Sequence, residues 1–102
     1  MGARLLDKVR SGVGRSAIVG EVRGRGLMVC VDFVEPDGSG RPLAGSRVAE
    51  LDRKTWERGV IAYARGTVVR LAPPLCITRE EVDHLAAVVA ESVHELEREV
   101  TA

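Results

Sequence analysis

The chain has 102 residues, 45% hydrophobic and 29% charged, with 15 basic and 15 acidic side chains and a formal net charge of zero. That composition fits one globular domain over residues 1–102, and with aromatics at 3% the core must be built from Val, Leu, Ile and Ala. The charge balance argues against a nucleic-acid or polybasic membrane partner, no apolar run approaches the roughly 20 residues of a bilayer span, and charges at Arg4, Asp7, Lys8 and Arg10 break any export-signal pattern. A cytoplasmic protein is expected, with Cys30 and Cys76 as free, buried thiols.

Residues 3–10, ARLLDKVR, place Leu5, Leu6 and Val9 on one helical face, and Gly12 and Gly14 are expected to stop that helix. Ile18 to Arg23 reads as a strand, RGRG (Arg23 to Gly26) as a turn, and Leu27 to Val34 as a second strand rich in β-branched residues. EPDGSGRP, Glu35 to Pro42, is dense in turn formers. Ser46 to Arg58 reads as a helix capped by Ser46, with Val48, Leu51 and Thr55 on one side and Gly59 as its stop. Val60 to Ala64 and Thr67 to Leu71 read as strands about a turn at Arg65 and Gly66. Thr78 and Glu81 form a capping box for a last helix whose Val82, Leu85, Ala86, Val89, Val93, Leu96 and Val100 make one apolar stripe. The order is α-β-β-α-β-β-α. It predicts an α+β fold: a small, mainly antiparallel sheet of about four strands with helices packed on it.

Gly12, Gly14 and Ala17 match G-x-G-x-x-A, but a dinucleotide fingerprint follows a strand and opens a helix, and here the order is reversed. Gly24 and Gly26 read as turn glycines. A single RGRG in a neutral chain with few aromatics does not make an RNA-binding segment. His84 and His94 lie about 80° apart around a helix and lack a surrounding ligand cluster, so they read as surface residues without a metal. Glu80, Glu81, Glu91, Glu95, Glu97 and Glu99 read as the wet face of the last helix.

Arg70, in VVRLAPPLCIT (Val68 to Thr78), stands inside an apolar run that ends on Pro73 and Pro74. In a strand its side chain shares a face with Val68 and opposes Val69 and Leu71. The prolines stiffen the strand exit, so the guanidinium is presented from a rigid base. Residue chemistry leaves two readings open: a snorkelling surface arginine, or a receptor gripping a carboxylate with two parallel hydrogen bonds.

GEVRGRGLM (Gly20 to Met28), followed by VVRLAPPLCITREEVDHL (Val68 to Leu85), resembles the C-terminal domain of class III aminotransferases, pyridoxal-phosphate enzymes of the fold-type I group. The resemblance covers almost the whole chain, in the family's order and spacing. It implies that Arg70 binds a substrate carboxylate, and that the complete enzyme, a homodimer, transfers an amino group from an amino acid or ω-amino acid to a 2-oxo acid. It also implies a large domain upstream that carries the cofactor, with this chain beginning inside a longer helix. Cys30 departs from the pattern, standing where the family usually has glycine. Lys8 and Lys54, the chain's two lysines, match no cofactor lysine; Lys54, among Asp52, Arg53 and Glu57, reads as part of a polar helix face. The chain by itself is therefore expected to bind no pyridoxal phosphate and to be inactive: a portion of a larger enzyme, half of a two-chain enzyme, or a carboxylate-binding module without catalysis.

Overall fold

The computed structural model describes residues 2–25, 28–60, 62–71 and 77–101. Its elements run α1 (Gly2–Val13), β1 (Val19–Arg25), β2 (Met28–Phe33), α2 (Gly45–Glu57), β3 (Tyr63–Arg65), β4 (Val68–Leu71) and α3 (Arg79–Thr101). This is the predicted α+β order. The strands form one four-stranded antiparallel sheet in the order β1-β2-β4-β3. The two hairpins lie side by side, joined where β2 pairs with β4 from Val29↔Leu71 to Asp32↔Val68.

Strand alternation sets the two faces. Val29, Val31 and Phe33 of β2 and Val69 and Leu71 of β4 are buried in one core with Leu5, Val9 and Val13 of α1 and Val82, Val89, Val93 and Leu96 of α3. The alternate residues, among them Cys30, Asp32, Val68 and Arg70, occupy the opposite face. The sheet is thus covered by helices on one side.

Helix α3 begins as its capping box requires. The Thr78 N–H donates to Glu81 Oε1 at 3.0 Å, and the Glu81 N–H donates to Thr78 Oγ1 at 3.2 Å. Its stripe is buried at Val82, Ala86, Val89, Val93 and Leu96, with Leu85 and Val100 half-buried at its margins.

Several glycine readings change. Gly12 does not stop α1; it lies within the helix, and a Cβ there would sit 3.0 Å from Ala90 Cβ of α3. It is the close-approach point of two crossing helices. His94 Nε2 donates to the Gly12 carbonyl at 2.8 Å, and Arg4 grips Asp83 through Nε and Nη2 at 2.9 and 2.8 Å. Gly24 is a strand residue, not a turn residue: it pairs with Val29, and its missing side chain makes room for Leu6 of α1. Gly26 lies outside the described residues. The register shift between Val19 and Glu21 puts a bulge at Gly20.

Ser46 is not the cap of α2. The helix starts one residue earlier, at Gly45, with Ala44 as an N-cap that offers no side-chain bond, and the Ala44 carbonyl accepts from Arg47 and Val48 N–H at 2.9 and 3.2 Å. Burial of Leu43 fixes where the chain enters the helix. At the other end Gly59 stops α2 as predicted. It has φ +83°, its N–H reaches the Trp56 carbonyl at 3.0 Å, and Val60 N–H reaches Thr55 at 2.8 Å. This is the bonding of a Schellman motif. A Cβ at Gly59 would meet nothing within 4 Å, so Gly59→Ala carries only the left-handed backbone cost. A loss of about 1 kcal/mol is expected, seen as a fall in Tm of about 5 °C by circular dichroism.

The β3–β4 hairpin closes through Gly66 and Thr67, since Arg65 pairs with Val68. Gly66 has φ +63° and no non-glycine residue has positive φ among those described, the pattern of a type II′ turn. A two-residue loop of this kind locks the register of the two strands.

Candidate functional site

Arg70 lies mid-strand in β4 and is exposed on the uncovered face, while its neighbours Val69 and Leu71 are buried. Register places Arg23, Cys30, Arg70 and Tyr63 in one row across all four strands. At the β1 end, Arg23 pairs with Asp32 and more distantly with Glu21, at 3.7 Å. Arg70 makes no hydrogen bond or ion pair to another of the described residues. It lines an open cleft of about 630 Å³ together with Cys30, Asp52, Tyr63, Ala64 and Val68. A charged fork on a rigid strand, free to turn toward that cleft, is suited to a planar anion. Pro73 and Pro74, expected to stiffen the strand exit, lie outside the described residues.

Cys30 is not a core thiol as expected. It is half-buried on the uncovered face, directly opposite Arg70. The expected glycine at this position would have left the cleft floor bare; the cysteine side chain narrows it beside the guanidinium. Cys76 lies outside the described residues.

Lys54 is also not where its sequence neighbours suggested. It is 4% exposed, because the face of α2 that buries Val48, Leu51 and Thr55 carries Lys54 with it against α3. Its Nζ donates to Glu95 Oε1 at 2.6 Å and to Glu99 Oε2 at 2.8 Å. Arg58, one turn on, also pairs with Glu95 and reaches Glu91 at 3.8 Å. The hydrogen bonds that Lys54 donates to Glu95 and Glu99 raise its pKa above the ordinary lysine value, against the desolvation of the site. Those from Lys54 and Arg58 lower Glu95 to about 2. Lys54 is therefore held as an ammonium, the opposite of an amine poised to attack a carbonyl. Lys8 is exposed on α1.

The wet face of α3 is accordingly narrower than expected. Glu95 and Glu99 are engaged by Lys54, and Glu97 accepts from the Ser16 hydroxyl and, at 2.8 Å, from the Ala17 N–H, tying the approach to β1 onto α3. The available signal was spacing: Lys54 and Arg58 lie four apart, as do Glu91, Glu95 and Glu99, so two helices could mesh charge for charge.

His84 and His94 are both exposed. No group of three His, Cys, Asp or Glu side chains gathers as metal ligands would among the described residues. No described helix is long and apolar enough to cross a membrane.

Comparison with known proteins gives one consistent result. The family model described as aminotransferase class-III matches residues 1–93. The chain is similar to the diaminobutyrate–2-oxoglutarate aminotransferase of Rhizobium meliloti, 32% identical over 95% of this chain and 22% of that protein. It is 39% identical to the adenosylmethionine-8-amino-7-oxononanoate aminotransferase of Methanocaldococcus jannaschii, over 76% of this chain and 17% of the relative. Among solved structures, an amine transaminase from an uncultivated Pseudomonas species in the PLP-bound form superposes with a TM-score of 0.83 at 30% identity, covering 91% of this chain and 21% of that one. The chain spans about a fifth of the length of the curated relatives it matches.

Proposed function

Because the chain belongs to the class III aminotransferase family, we propose that it is the C-terminal small domain of such an enzyme and that Arg70 receives a substrate carboxylate. The observation that carries this reading is the position of Arg70: on the uncovered sheet face, lining the cleft, with no partner among the described residues. The complete enzyme would transfer an amino group from an amino acid or ω-amino acid to a 2-oxo acid, working as a homodimer in which a large domain completes the site.

Pyridoxal phosphate, the family's cofactor, supplies the electron sink for that chemistry when bound. The residues of this chain do not fit its covalent site. Of the two lysines in the sequence, Lys8 is exposed on a helix and Lys54 is locked between two glutamates. The cofactor is accordingly assigned to the large domain. The part left to this chain is to bind and orient the substrate's carboxylate.

The test is a titration of the purified chain with 2-oxoglutarate, followed through the amide resonances of β2, β3 and β4. Arg70→Ala is expected to weaken binding at least about tenfold, the scale of a charge-assisted hydrogen-bonded pair. An affinity unchanged in Arg70→Ala would remove Arg70 from the site.

A further inference from the structure

We propose that Tyr63 is a second carboxylate-binding residue of the cleft, its hydroxyl donating to the same carboxylate that Arg70 receives while its ring flanks the guanidinium. This rests on the reading of Arg70 as the carboxylate receptor and extends it to a neighbour on another strand.

Tyr63 is the direct antiparallel partner of Arg70. Directly opposed side chains share a face with Cβ atoms about 5 Å apart. Both line the same cleft. The pairing is firmly held, because three successive pairs, Tyr63↔Arg70, Ala64↔Val69 and Arg65↔Val68, run straight into the two-residue turn. A slip of β3 by one residue against β4 would turn Ala64 out of the core face and Tyr63 into it.

Tyr63 is 55% exposed in a chain with three aromatic residues, of which Phe33 alone is fully buried. Its exposure leaves core packing without need of it. Its chemistry suits the place: an aromatic face attracts a guanidinium and limits the rotamers it explores. A neutral phenol adds a hydrogen-bond donor without adding charge. With Arg70 supplying the fork and Tyr63 a donor from the side, a carboxylate is fixed in orientation as well as in place.

The experiment is the same 2-oxoglutarate titration, run on wild type, Tyr63→Phe, Tyr63→Ala and Arg70→Ala. Tyr63→Phe keeps the ring and the strand pairing and removes only the hydroxyl; it is expected to weaken binding about fivefold, the scale of one hydrogen bond. Tyr63→Ala also loses the ring beside Arg70 and is expected to weaken binding further. Because Tyr63 lies outside the core, both variants are expected to keep the wild-type far-ultraviolet circular dichroism. Wild-type affinity in Tyr63→Phe, with binding lost in Arg70→Ala, overturns this proposal and leaves the reading of Arg70 standing. Wild-type affinity in Arg70→Ala overturns both.

Discussion

Phe33→Ala is expected to lower folding stability by about 4 kcal/mol, measured by urea unfolding followed by circular dichroism. Phe33 is the largest of the fully buried side chains, in a core otherwise made of aliphatic residues. It ends β2 where three connections meet. Its backbone N–H donates to Thr67 at 2.9 Å, its carbonyl accepts from Leu43 at 3.2 Å, and it pairs with Val19 of β1. These bonds, with Leu43 itself buried, hold the main chain around Phe33 in place and limit how far it can close on the space left by the ring. The cost is then the lost transfer energy plus an unrelaxed cavity, against a total stability of about 5–15 kcal/mol for a domain. Trp56, 66% exposed on α2, gives the contrast: Trp56→Ala is expected to change stability by no more than about 0.5 kcal/mol. Equal effects at the two positions would show that the core is not organised around Phe33.

Lys54→Met is expected to cost about 2 kcal/mol at pH 7, a fall in Tm of about 8–15 °C. Methionine keeps most of the buried stem and removes the ammonium. Glu95 and Glu99 are then left facing a side of α2 without its central positive charge. The pH dependence separates this from simple repacking. In the wild type, Glu95 has a folded pKa of about 2 against an ordinary 4.5. Its contribution is therefore complete above about pH 4.5 and is lost as pH falls toward 2. In Lys54→Met, Glu95 keeps Arg58 but loses its strongest partner, so its pKa returns upward and less stability remains to be lost to acid. The difference between wild type and variant is expected to narrow on acidification from pH 4.5 to 3. At the alkaline end the raised Lys54 pKa means that its contribution persists until pH rises past the ordinary lysine value. A gap constant from pH 7 to 3 would show that Lys54 acts through packing of its stem alone.

The same two helices show how far local pattern carried. The α3 stripe and its capping box were legible because both are rules of neighbours: apolar residues at helical spacing and a Thr three residues ahead of a Glu. The stop at Gly59 was legible for the same reason. A serine before a helical pattern is a common cap signal, but α2 begins before Ser46, next to Leu43, whose burial against distant residues no local pattern states. Gly12 carries the local signal of a helix stop and yet lies inside α1. A glycine that ends a helix and one that lets another helix approach have the same local appearance, and Ala90, 78 residues on, distinguishes them.

For the site, alternation along VVRL was enough to put Arg70 opposite Val69 and Leu71, since side chains reverse face at every strand residue. It was not enough to bring Tyr63, Cys30 and Asp52 beside it. Tyr63 and Cys30 come from strand order, β1-β2-β4-β3, which a linear pattern does not state, and Asp52 comes from the packing of α2 against β3 and β4. Lys54 is the sharpest instance: Asp52, Arg53 and Glu57 around it suggested a solvated face, and only the packing of α2 on α3 turned it inward onto Glu95 and Glu99.

The amino-acid sequence by itself determined the element order, the α+β class, the apolar faces of the helices and the family resemblance, because these rest on spacing and on short motifs. Tertiary structure decided which face of the sheet stays uncovered, which residues share the cleft with Arg70, and which charges are neutralised within the chain. Those are contacts between residues tens of positions apart, made when burial of the Val, Leu and Ile side chains draws the helices onto one side of the sheet.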